Sequence, residues 1–189
     1  HQDEVFLDLG SNVGQIPFFL DDSFSGNIVA VEPLSELIPF LRANRPDCHV
    51  IESAVCEHNG TVSFYANSDS YQTSSLIEAN ILDTKKNVTM RSVEGRSVES
   101  IISEMDASCD SKERDFIVKL DIQGGETACL HALAGICAES DGSTVAEGGV
   151  EFWVQARTLR VAKAAAHRRR DGITNIYLCV TQETWSSRQ

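Results

Sequence analysis

Three acidic residues fall where apolar runs end: Asp8 within VFLDL (5–9), Glu32 directly after NIVAV, and Asp121 within DFIVKLDI (115–122). Behind the first comes the loop Gly10-Ser11-Asn12-Val13-Gly14, two glycines around three small or polar residues. Such a loop lets a ligand approach bare backbone. A dinucleotide loop reads GxGxxG, so that its N–H groups reach a pyrophosphate at a helix N-terminus. Here the middle glycine is missing. A Walker-type loop requires Gly-Lys-Ser/Thr, which does not follow. Asp8 at the loop entrance would also repel a diphosphate. Electrostatics disfavours both phosphate readings.

A cationic ligand fits better. S-adenosylmethionine carries a sulfonium and an ammonium and has no phosphate, so a strand-end aspartate suits its methionine part. Glu32 ends the next apolar run, and its two carboxylate oxygens suit the two ribose hydroxyls. An acid at this spacing also occurs in nicotinamide dinucleotide binders. It is the combination of Asp8, the GxxxG loop and Glu32 that discriminates. Taken singly, Asp8 could cap the following turn and Glu32 could be a surface acid before Pro33.

These residues need elements to hold them. VFLDL and NIVAVEP (27–33) read as strands, and the stretch from Gly14 to about Asp21 reads as a helix with Pro17 in its first turn. LSELIPFLRANRP (34–46) has helical spacing at Leu34, Leu37, Ile38 and Leu41. CHVIESAV (48–55) reads as a third strand, and HNGTVSFYA (58–66) as a hairpin with an Asn-Gly turn and alternation at Val62, Phe64 and Ala66. Residues 67–87 are polar and read as a long loop, and NVTMRSVEG (87–95) as a strand. SVESIISEM (97–105) is an amphipathic helix with Ser97 as its N-cap. DFIVKLDI is the strongest strand of the second half, and Gly124-Gly125 opens a helix after it. Beyond about Ser140 the pattern predicts strands at 149–155 and 173–181 around a helix at 157–170. Strands alternating with helices imply a parallel sheet with helices on both faces. In such sheets ligands sit beyond the carboxyl ends of the strands, which is where Asp8, Glu32, Ser53 and Asp121 fall.

Bulk properties narrow the classes. A chain of 189 residues with 42% hydrophobic and 23% charged residues suits one packed domain. No stretch approaches the ~20 apolar residues of a membrane span. The acidic start lacks the basic segment of a signal peptide. The chain opens at His1 and enters an apolar run at once, and reads as a domain lacking N-terminal residues. Net charge is −12; residues 151–189 hold seven Lys/Arg against three Asp/Glu (+4), leaving −16 on the first 150. An acidic body argues against nucleic acid as partner. The exception, HRRRDG (167–172), reads as a solvated helix end before a glycine stop. The six cysteines form no CxxC or Cys/His metal spacing and fit reduced thiols in the cytoplasm. No metal site is expected. The sequons at Asn59 and Asn87 would matter only if the chain were secreted.

The motifs together resemble the FkbM-type family of S-adenosylmethionine-dependent methyltransferases, over roughly residues 4–136. VFLDLGSNVGQ resembles that family's first motif, and VAVEPLSELIPFLRAN its second. VIESAVCEHNGTVSFY is similar to its third-strand segment, QTSSL (72–76) to its small-residue loop, and DFIVKLDIQGGE to its Lys-x-Asp-x-Glu-Gly-x-Glu signature. The signature acid after Asp121 is Gln123 here, and residues 138–189 match poorly. The resemblance implies a single α/β domain of Rossmann-like class I fold. It implies O-methylation of a small-molecule or sugar hydroxyl, with no nucleic-acid or membrane partner. Asp8, Gly10, Ser11, Asn12, Gly14 and Glu32 would line the cofactor site, with Pro33, Ser53 and Ala54 flanking the adenine. Asp121 would be the general base or acceptor-orienting acid. Lys119, on the same strand face, would hold Asp121 ionised or contact substrate. Glu126 would be a helix-dipole partner or a site acid. Two other readings stay open: a non-catalytic module that keeps the fold, and a nicotinamide-dependent oxidoreductase.

Overall fold

The computed structural model describes residues 4–20, 24, 26–78, 87–107, 114–141, 161–164 and 173–180. Its centre is a sheet of β1 (Glu4–Leu9), β2 (Asn27–Val31), β3 (His49–Ile51), β7 (Arg114–Leu120), β8 (Val161–Ala164) and β9 (Ile173–Val180), in the order β3-β2-β1-β7-β9-β8. All neighbours pair in parallel except β8, which runs antiparallel to β9. A smaller sheet, in the order β4-β6-β5, joins β4 (Ala54–Val55), β5 (Gly60–Asn67) and β6 (Val88–Arg96).

The central strands are buried on both faces, which is why they read as continuous apolar runs. On β1, Val5, Leu7 and Leu9 point to one face, where they join their register partners Phe116, Val118 and Leu120 and meet helices α3 (Val98–Ala107) and α4 (Glu126–Asp141) in the main core. Ile101 and Ile102 come from α3, Cys129 and Leu133 from α4. The alternate residues Phe6 and Asp8 are buried too. Phe6 meets Phe24 edge-on at 6.3 Å. Two short helices, α1 (Gln15–Phe19) and α2 (Ile38–Asn44), contact each other, and Asn44 Nδ2 ties α2 to the carbonyl of Val13 at 2.6 Å. Ser97 caps α3 by accepting the Ser100 N–H at 3.2 Å.

Four sequence expectations need correction. CHVIESAV is two strands in two sheets: the Ser53 N–H turns back to the Ile51 carbonyl at 3.1 Å, a reversal too tight to continue a ladder. The Asn-Gly segment does not open a local hairpin; β5 pairs antiparallel with β6, from Gly60 opposite Gly95 to Asn67 opposite Val88. Its alternation was read correctly, since Phe64 and Ala66 are buried with Leu34, Leu37 and Ala54 in a second cluster. The first helix stops at Phe19 rather than near Asp21. The alanine-rich stretch assigned to a helix over 157–170 contains β8, where pairing with β9 overrides local helix propensity. The expected strand at 149–155 and the HRRRDG run lie outside the described residues.

Phe116 is 0% exposed in the middle of the main core. Phe116→Ala is expected to lower unfolding free energy by about 3–5 kcal/mol. A urea titration checks this through a fall in the midpoint at unchanged slope.

Candidate functional site

The carboxyl ends of β1, β2 and β7 meet the smaller sheet around a cavity of about 240 Å³. Gly10, Ser11 and Asn12 form one wall, Glu32, Pro33, Ser53 and Ala54 a second, and Lys119, Asp121, Ile122 and Gln123 a third. Nine of the residues singled out in the sequence therefore converge here. Gly14 and Glu126 are not among the lining residues, and Asp8 lies behind Lys119, fully buried.

The loop after β1 is held through its backbone. The Gly10 and Ser11 N–H groups both donate to the Val31 carbonyl at 3.0 Å, and Gly14 N–H donates to the Ser11 carbonyl at 2.8 Å. Asn12 sits at φ 52, and its side-chain oxygen accepts the Val13 N–H at 2.9 Å, the local bond that lets Asn tolerate the left-handed region. Gly10 has a stronger requirement. At φ +78, a Cβ would lie 2.0 Å from the Asp121 carbonyl oxygen. No side chain fits between the ends of β1 and β7.

Glu32 is buried, 5% exposed, at the mouth of this loop. Its Oε2 accepts the Asn12 N–H at 2.9 Å and its Oε1 the Leu34 N–H at 3.0 Å. Each oxygen keeps capacity for a further donor. Loss of water pushes its pKa from 4.5 to about 7, with the two backbone N–H bonds and Lys119 pulling the other way. The unfolded chain releases this proton near 4.5 and the native chain near 7. The native state therefore binds more protons in between, and this group's contribution to stability falls as pH rises through that window.

Asp8 and Lys119 are register partners on β1 and β7. The Lys119 ammonium lies 2.9 Å from Asp8 Oδ1 and donates to the Gly10 carbonyl at 2.7 Å, with the Leu9 carbonyl at 3.5 Å. Burial raises the Asp8 pKa, and the Lys119 charge opposes this. Asp8 Oδ2 has no hydrogen-bond partner among the described residues. Lys119 was read as a partner of Asp121 or of substrate; its ammonium lies against the end of β1, and its side chain also lines the cavity.

Asp121 is half-buried and its Oδ1 accepts from Gln123 Nε2 at 2.9 Å. Gln123 has φ 53, and its carbonyl accepts the Ser75 hydroxyl. This bond latches the 71–76 segment onto the turn after β7. Glu126 begins α4 and its Oε2 accepts the Gly124 N–H at 2.7 Å, a helix-start role. Sequence reasoning missed the aromatic and apolar wall of Phe64, Tyr71 and Leu76. The QTSSL segment was the available signal, but its place depends on the β5–β6 pairing. Ser53 Oγ is buried and without a hydrogen-bond partner among the described residues, at the edge of this wall. No group of three or more His, Cys, Asp and Glu side chains among the described residues could hold a metal.

Gly10→Ala must displace backbone, whereas a Cβ at Gly14 meets Leu41 Cγ at 3.2 Å, a side chain that can yield. Both substitutions carry the left-handed penalty of about 1–2 kcal/mol. Gly10→Ala is expected to cost clearly more in a thermal melt; equal losses would show that the β1–β7 contact yields easily.

Neither the curated proteins nor the solved structures yield a match. The family model described as "Methyltransferase FkbM domain" matches residues 8–159, from the aspartate of β1 to beyond α4. That span covers most of the chain and includes every residue of the cavity wall, so the chain belongs to the FkbM methyltransferase family.

Proposed function

We propose that this chain is an S-adenosylmethionine-dependent methyltransferase with a Rossmann-like class I fold, acting on a hydroxyl of a small-molecule or sugar acceptor. Glu32 carries the reading. It is a buried carboxylate held by two backbone N–H groups at a strand end, with acceptor capacity left on both oxygens. The remaining geometry fits the same ligand. Gly10 leaves a backbone cradle where a Cβ would clash. Ser53 Oγ offers an unused polar atom beside the aromatic wall, where the adenine would lie. Gly10, Ser11 and Asn12 would hold the methionine part. Pro33 and Ala54 would pack on the base.

When bound, the cofactor supplies a methyl carbon already activated by a sulfonium. The protein's part is to align the acceptor oxygen and to take its proton. Asp121 is the residue for this: it lines the cavity at the end of β7, and Gln123 orients it through one oxygen. The acidic body of the chain favours a small acceptor over nucleic acid. No helix among the described residues is long and apolar enough to cross a membrane. The described cysteines Cys48, Cys56 and Cys129 are free thiols, which fits work in the cytoplasm.

Calorimetry with S-adenosylhomocysteine and with NAD tests the cofactor. S-adenosylhomocysteine is expected to bind, and Glu32→Ala to weaken it at least about tenfold, the loss of one charge-assisted hydrogen bond. Binding of NAD alone overturns the reading. Because the ribose hydroxyls donate to the ionised carboxylate, affinity should rise with pH towards 7 and level off above it. Glu32→Gln should flatten the profile. Turnover on hydroxylated acceptors should fall about 10²- to 10⁴-fold in Asp121→Ala; unchanged turnover removes Asp121 from the chemistry. Cofactor binding with no turnover on any acceptor marks a non-catalytic module.

A further inference from the structure

We infer that Lys119 is a positioning residue for the Gly10–Gly14 loop, and that Asp8 acts through Lys119 as its buried counter-charge rather than on the cofactor. The inference rests on the reading of the loop as the cofactor site and goes beyond it by assigning both charges a task.

Count the donors and acceptors. An ammonium has three N–H groups. Lys119 Nζ has three oxygens around it: Asp8 Oδ1 at 2.9 Å, the Gly10 carbonyl at 2.7 Å and the Leu9 carbonyl at 3.5 Å. The ammonium's recorded contacts thus all lie at the end of β1 and on the first residue of its loop, and none is to Asp121. Lys119 is 5% exposed and Asp8 0%, so both charges are largely withdrawn from water. Each requires the other.

The loop is then gripped from both neighbours. From the β2 side, the Val31 carbonyl takes the Gly10 and Ser11 N–H groups at 3.0 Å. From the β7 side, Lys119 takes the Gly10 carbonyl. The Asn12, Val13 and Gly14 N–H groups are also bound, to Glu32, to the Asn12 side chain and to the Ser11 carbonyl. The loop thus has its ligand-receiving shape before a ligand arrives. Neutralisation matters as well, since an unpaired ammonium in the wall would repel a sulfonium. Asp8 cancels that charge from behind the wall.

The test joins two readouts. In the double variant Asp8→Leu/Lys119→Met, both charges are replaced by apolar groups of similar size, an exchange that buried pairs commonly tolerate. Amide hydrogen exchange of the peptide covering Gly10–Gly14, measured without ligand, should speed up by about tenfold or more, while peptides from β6 and α3 keep their rates. Calorimetry should show S-adenosylhomocysteine weakened too, in proportion to the fall in the fraction of molecules that hold the competent loop. Unchanged loop exchange overturns the inference. If the wild type binds no S-adenosylhomocysteine, the cofactor reading fails, and the exchange result still judges the clamp. Should the double variant not fold, the wild type decides: a clamped ammonium gives a ¹⁵N–¹H signal for Lys119 that persists at neutral pH. A signal lost to rapid solvent exchange overturns the clamp.

Discussion

The register between β1 and β7 is the constraint on which the site depends. It places Asp8 opposite Lys119 and Leu9 opposite Leu120, and it brings the turn after β1 against the carbonyl of Asp121. A slip of one residue would reverse every side chain on the strand. It would send Asp8 into the apolar face now filled by Leu7 and Leu9, and Lys119 into that of Val118 and Leu120. Two buried charges that cannot tolerate the wrong face specify this register more sharply than aliphatic residues could. The energetics favour that view over a stabilising role. Desolvating each ion costs several kcal/mol, and apolar replacements of buried pairs are often neutral or stabilising by about 1–4 kcal/mol. A buried pair of this kind is better explained by the geometry it enforces than by net stability.

The cavity is also a joint between two sheets. The central sheet supplies the backbone loop and the three strand ends. The smaller one supplies Phe64 directly and, through the segment that follows β5, Tyr71 and Leu76. Several bonds hold that segment. The Tyr65 and Ser75 backbones exchange hydrogen bonds of 2.8 and 3.0 Å, and the Ser75 hydroxyl reaches the Gln123 carbonyl. A shift in the β5–β6 pairing would therefore be felt beside Asp121, since Gln123 orients that carboxylate. The left-handed backbone at Asn12 and Gln123 falls on the turns after β1 and β7. Such backbone persists where the surroundings over-determine it, and both turns are fixed by hydrogen bonds from neighbouring elements.

The central strands were legible in the sequence because burial on both faces writes itself as an unbroken apolar run. The strand ends were legible for the same reason: an acid after such a run marks where the sheet meets a turn. That placed Glu32, Ser53 and Asp121 at one end of the sheet, and with the loop glycines it suggested a cation-tolerant site. Pairing was not legible. Nothing in HNGTVSFYA names β6 as its partner across more than twenty intervening residues, so the aromatic wall had no address. Nothing in KLD states that Lys119 reaches sideways to β1, since alternation gives a face and not a neighbour. The stretch around Val161–Ala164 was misread because alanine favours helix locally, while an edge strand is decided by the strand beside it.

Depth sorts the three acids better than their common position does. Asp8 is wholly enclosed, its charge met by Lys119, and it has no access to the cavity. Glu32 is nearly enclosed but reaches the wall, with one backbone N–H on each oxygen. Asp121 is half-buried and held through one oxygen by a side-chain amide. Desolvation grows along the reverse order, and it raises the pKa of Asp8 and Glu32. An enclosed acid that does not line the cavity suits organising structure. An acid at the wall with its orientation fixed by backbone suits recognition, where rigidity lowers the cost of binding. A partly hydrated acid oriented through one oxygen suits proton transfer, where the group must change charge without disturbing the fold. One sequence signal, an acid at the end of an apolar strand, thus covers three environments that differ in how much water each carboxylate keeps, and under the proposed function they divide into structure, binding and chemistry.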